Sequence, residues 1–194
     1  MNMKLFRNIS CFPVVALLVA GTLFASPPDG EATTVMTEAA WDFPKEASEL
    51  LRETRSLAVK LHRDADTLDS LSRSNQASWE NHAHYLNLVK EHINSIGKLL
   101  ARLQDVQHVA SPWQQRAIDR IYPLALELAN RTEAAIGHLN ENRGRLFDSD
   151  YQNHLATIAD RAGELKASVA DFLEFGQTQE KLGRLQEKLE ATGS

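Results

Sequence analysis

The sequence predicts an all-α fold, an antiparallel up-down-up-down four-helix bundle with a long C-terminal helix extension. Three observations carry this prediction. After residue 43 apolar side chains recur at steps of three and four, while glycine is sparse and proline almost absent. No stretch alternates with period two, and no run of β-branched residues reads as a strand. The segments between the periodic stretches are short, roughly two to six residues, so sequential helices should lie antiparallel.

Residues 1–25 read as a signal peptide. Lys4 and Arg7 form a basic start, Cys11 to Ala25 (CFPVVALLVAGTLFA) is apolar, and Ser26-Pro27-Pro28 ends the run. That run is short of the roughly 20 residues that a bilayer span needs. Cleavage after Ala25 is expected, although Leu23 is bulky for a residue so close to a cleavage point; an uncleaved N-terminal anchor is the alternative. The protein is therefore expected to be periplasmic or secreted. Residues 26–43 begin as a Pro, Gly, Thr and Glu-rich flexible leader.

Removing the signal takes away Lys4 and Arg7 and leaves 19 basic residues against 26 acidic ones, so the net charge moves from −5 to about −7. Cys11, the only cysteine, leaves too. A mature chain without cysteine has no disulfide, thiolate metal site or cysteine nucleophile. An acidic surface without a basic run argues against nucleic acid or anionic lipid as a partner.

The bundle is expected over 44–176. Its first helix runs from about Pro44 to Ser72, with Leu50, Leu57, Leu61, Ala65 and Leu68 on one stripe. The second, from about Gln76 to Val109, carries Trp79, Leu86, Val89, Ile93, Ile96, Leu100 and Leu103. The third opens at Ser111-Pro112-Trp113-Gln114, a capping box with proline at the first position. It carries Ala117, Ile121, Leu124, Leu128, Ala135 and Leu139, and should stop at Gly144 as a left-handed C′ residue. Pro123 within it should produce a kink. The fourth opens at a second capping box, Ser149 to Gln152, and carries Leu155, Ile158, Ala162, Leu165, Val169 and Phe172.

Residues 177–194 resume the pattern after Gly176 with Leu182, Leu185 and Leu189 in a charged stretch. This amphipathic extension should outrun the bundle. It either folds back on Trp41 and Phe43, projects freely, or self-associates with another chain. Three leucines are few for a dedicated zipper.

Three of the seven histidines fall in ENHAHYLNLVKEH, residues 80–92. On a helix His82 and His84 point about 200° apart and cannot share an ion. His82 falls on the apolar stripe. His84 joins Glu80 and Glu91 on a solvated face, where a Glu80–His84 pair is expected, and His92 is a boundary residue whose ring tip reaches water. His82 lies about five residues inside the second helix, His138 about five before the end of the third, and His154 about five inside the fourth. An antiparallel bundle brings all three to one end, with Tyr85, Asn142 and Tyr151 at the same level. The structural expectation is a hydrogen-bonded seam. The functional one is a metal or small-ligand site formed by His82, His138 and His154, with zinc or copper suited to neutral nitrogen donors.

More specific chemistry is missing from the sequence. There is no Glu followed three residues later by His, no HExxH, CxxCH or glycine-rich phosphate loop, and no nucleophile elbow. The mature chain's only methionine, Met36, lies in the leader. No cofactor and no catalytic residue is expected.

WENHAHYLNLVKEHIN and SPWQQRAID resemble segments of a family of exported bacterial helical-bundle proteins with no assigned activity. The resemblance implies a helical fold and export, and supplies no site residues. The function expected is that of a non-enzymatic exported bundle acting through protein-protein contacts at the cell envelope, with a metal- or small-ligand-binding bundle as the alternative.

Overall fold

A computed structural model describes residues 43–74 and 78–192. The expected signal peptide and the leader up to residue 42, Trp41 included, lie outside the described residues. Four long helices and one short turn make up most of the described residues: α1 (Phe43–Ser72), α2 (Trp79–Val106), a single 3-10 turn (Gln107–Val109), α3 (Pro112–Glu141) and α4 (Ser149–Thr192). There is no strand among the described residues.

α1 packs on α2 and α4, and α3 packs on α2 and α4, while α1 and α3 barely touch across the middle. This ring of antiparallel neighbours is the four-helix bundle that the periodicity predicts. Its core is drawn from all four stripes, with Leu51, Leu61, Leu68, Leu86, Ile96, Leu103, Ile118, Ile121, Leu128, Leu155 and Ile158 fully buried. Two expected stripe residues lie at its edge: Leu57 and Phe172 are only partly buried and pack against the core from outside.

The ends of the helices differ from expectation in instructive ways. α2 stops at Val106, and the 3-10 turn takes up the three residues expected to be helical. α3 ends at Glu141 with Asn142 as its cap, before the expected stop, and Gly144 in the following turn does not take a left-handed φ. α3 runs unbroken through Pro123, which lies on the exposed face. α4 is capped by Asp148, one residue earlier than the expected serine: Asp148 Oδ1 accepts the Asp150 backbone N–H at 3.0 Å.

Gln114 closes the box expected at the start of α3, accepting the Ser111 backbone N–H at 2.8 Å. Its amide nitrogen also donates to Pro44 O (2.6 Å) and Ser48 Oγ (2.9 Å), so one side chain ties the start of α3 to the start of α1. At the same end Gly176 lies under the Trp113 indole, where an added Cβ would come 2.7 Å from Trp113 Cη2. Gly176 is therefore a close-packing residue inside a continuous helix, not a break in it. α4 continues to Thr192 with Leu182, Leu185 and Leu189 exposed. No helix among the described residues is long and apolar enough to cross a membrane.

Candidate functional site

The histidine end of the bundle joins the last turn of α1, the first of α2, the last of α3 and the first of α4. Local chemistry sets each element in place. Ser78 Oγ accepts the Asn81 N–H (3.3 Å) and starts α2, which carries His82 one turn inside. The Asp148 cap starts α4 and places Tyr151 one turn inside, with no solvent exposure. Gln152 Nε2 donates to Ser72 O at 3.2 Å, giving a partner to a carbonyl at the end of α1. That bond replaces the capping role expected of Gln152 within its own helix.

Tyr151 is the centre of the group. Its hydroxyl lies 2.9 Å from His82 Nδ1, and the two rings are 5.6 Å apart. His138 stacks on the same phenol at 5.0 Å between centroids, with 18° between planes. His82 is wholly buried, as its place on the stripe predicts. Burial lowers its pKa and raises that of Tyr151, so the pair meets as neutral imidazole and phenol. In a neutral imidazole one nitrogen donates and the other accepts. If the phenol donates to Nδ1, the Nε2–H is left over; if Nδ1–H donates, the Nε2 lone pair is left over. His82 Nε2 is indeed buried without a partner.

The three sequence-predicted ligands do not form one tripod. Among the described residues no group of three or more His, Cys, Asp or Glu side chains could hold a metal ion. His82 and His138 both pack on the Tyr151 ring, and His154 makes neither a ring contact nor a hydrogen bond with them. Each of the three nevertheless keeps one buried, unpartnered ring nitrogen: His82 Nε2, His138 Nε2 and His154 Nδ1. Such atoms in a folded interior call for water or a polar ligand. Asn142 bonds to its own helix instead, Nδ2 to His138 O at 3.4 Å, and Tyr85 lies edge-on to His84 at 5.3 Å.

The rim is marked by Trp79, 36% exposed, with the Arg143 guanidinium 4.5 Å above its ring. Trp79 thus caps the end and does not fill the core. His84 is exposed as expected, but among the described residues its ring contact is with Tyr85 and not an ion pair with Glu80.

A second polar group joins α1 to α2. His92 Nε2 lies 2.9 Å from Oδ2 of Asp64, a buried carboxylate on α1, and Arg63 Nε lies 2.9 Å from Oδ1. Burial alone would raise the Asp64 pKa; the hydrogen bonds and charges of Arg63 and His92 outweigh it and hold it below the usual range. Asp64 falls three residues after Leu61 and four before Leu68, on the apolar stripe itself. An acid at such a position is the signal that could have found it. No protein-family model, curated protein or solved structure matches this chain.

Proposed function

We propose that this protein is an exported, non-enzymatic helical bundle that works through protein contacts at the cell envelope, with the projecting end of α4 as its contact surface. The observation that supports the reading is the exposure of Leu182, Leu185 and Leu189 on one side of a helix that has left the bundle. An apolar stripe on a helix is stable in water only at a cost, and helix-in-groove recognition uses such stripes. The signal-like N-terminus and the acidic, cysteine-free remainder are compatible with export. The test is affinity capture from native envelope with the intact chain and with Leu182→Asp/Leu185→Asp. The reading expects a discrete partner, a second copy included, that the variant loses while its helicity is unchanged. Equal recovery by both proteins contradicts it.

A second reading, a bundle that takes a metal ion or small polar ligand at the histidine end, is favoured by one observation: the open ring nitrogens of His82, His138 and His154. A metal ion there needs the three rings to turn towards one point, since no three His, Cys, Asp or Glu side chains among the described residues are placed to hold one. Zinc or copper titration followed by histidine NMR tests this reading. Selective shifts of those three residues support it, and uniform weak shifts that include His84 dismiss it.

A further inference from the structure

The face that covers the α4 stripe can be deduced from helix geometry. The stripe is a heptad pattern. Phe175, Leu182 and Leu189 repeat every seven residues, and Thr178, Leu185 and Thr192 follow each by three. All four large apolar residues are exposed: Phe175 by 43%, Leu182 by 51%, Leu185 by 48% and Leu189 by 72%. The two threonines suit such a seam. Thr178 Oγ1 donates to Glu174 O (3.0 Å) and Thr192 Oγ1 to Lys188 O (2.7 Å), so the hydroxyls are already satisfied within the helix.

The chain's own bundle cannot cover this stripe. α4 packs on the bundle through Leu155, Ile158, Ala162, Leu165, Val169, Leu173 and Gly176. At 100° per residue the exposed stripe is centred about 150° round the helix from that face. Adjacent residues show the change of side: Gly176 is buried under Trp113 while Phe175 faces out. Above Phe175 the same outer face carries Glu164, Ser168 and Asp171, so the apolar seam has a defined start. Two chains could therefore meet along it with both bundles on the outside, free of collision.

The flanks select the orientation. Lys181 and Lys188 border the stripe on one side, Gln179 and Gln186 on the other. In a parallel pair each lysine-bearing flank meets the partner's glutamine-bearing flank, Lys181 opposite the second chain's Gln186. An antiparallel pair sets lysine against lysine. We propose that residues 175–192 of α4 pair in parallel with the same segment of a second copy of this chain, forming a short two-stranded coiled coil. This deepens the reading of the α4 extension as a contact surface and rests on it. A seam of this length buries on the order of 1,000 Å² in all, the lower bound for a specific interface. The dimer is therefore concentration-dependent.

Sedimentation of the intact chain over a hundredfold concentration range, together with cysteine cross-linking in a Cys11→Ser background, tests the proposal. The expected result is a mass rising towards twice the monomer value, abolished by Leu185→Asp at unchanged helicity, with Leu189→Cys forming a disulfide dimer at least tenfold faster than Glu187→Cys on the opposite side. A monomer at every concentration overturns the proposal, as does a dimer that Leu185→Asp leaves intact. Cross-linking of Leu189→Cys no faster than Glu187→Cys overturns the parallel register. If the chain is monomeric yet the seam substitutions abolish envelope capture, the second copy is refuted and the contact surface stands. Loss of neither refutes both.

Discussion

The Tyr151 hydroxyl and His82 Nδ1 meet at 2.9 Å across 69 residues of sequence, inside a layer where neither residue has any solvent exposure. A single bond thus fastens the first turn of α4 to the first turn of α2. Bonds of this kind contribute modestly when formed and cost more when half of one is removed. His82→Ala removes a fully buried ring and strands the Tyr151 hydroxyl, and should cost about 2–4 kcal/mol in denaturant unfolding. His84→Ala, on the exposed face, should change stability by less than about 0.5 kcal/mol. Equal small effects would contradict the facing of α2.

Stability should fall as the pH drops below neutral. Burial lowers the folded pKa of His82, so as the pH falls through about 6.5 the unfolded chain takes up this proton first. The unfolded state then binds more protons, and by linkage folding weakens in that window. Chemical denaturation at a series of pH values should show the decline between pH 7 and 5, and a shallower one in His82→Gln. A profile that is flat for the wild type would contradict the neutral, buried state of His82.

The Asp64 carboxylate is held low by Arg63 and His92, so its contribution is present above about pH 3.9 and is lost as the pH falls through its folded value. Asp64→Ala should cost about 2 kcal/mol at pH 7, less than a fully buried pair because the Arg63 side chain is 71% exposed to solvent. A thermodynamic cycle with His92→Ala should reveal coupling between the two sites. Additive single-site effects would mean that the α1–α2 contact at this level is apolar packing alone.

Gly176→Ala is an unusual case, since alanine is the better helix former by about 1 kcal/mol. Here the new methyl group collides with the Trp113 indole, and the displacement should cost more than the propensity gains, leaving a net loss of about 1–2 kcal/mol. The same change at Gly183, where nothing lies within 4 Å of an added Cβ, should be neutral or stabilising. Stabilisation at both positions would show that Trp113 does not lie on α4.

Much of the fold is legible in one sequence because amphipathic helices report their own buried face. Leu86, Val89, Ile93 and Ile96 announce α2, and His82 is buried because it shares their stripe. Helix ends are less legible, since Asp148 and Ser149 are both good caps and only the packed turn chooses between them. Gly176 reads only as the point where the bundle gives way to the extension, because a sequence does not show that an indole will lie on it. The site was half legible. Counting residues from the turns brings His82, His138 and His154 to one end, but the rotation of each helix decides that Tyr151 takes up two of the imidazoles. The Asp64–His92 bond depends on that same rotation between α1 and α2.

The claim that the projecting end of α4 is the working surface is tested most directly by photo-cross-linking in intact cells, with a benzophenone side chain placed at Leu185 or, as a control on the bundle, at His84. The account predicts a discrete adduct from position 185, a second copy of the chain being the expected one, and none from position 84. Adducts from neither position, or equally from both, would contradict it.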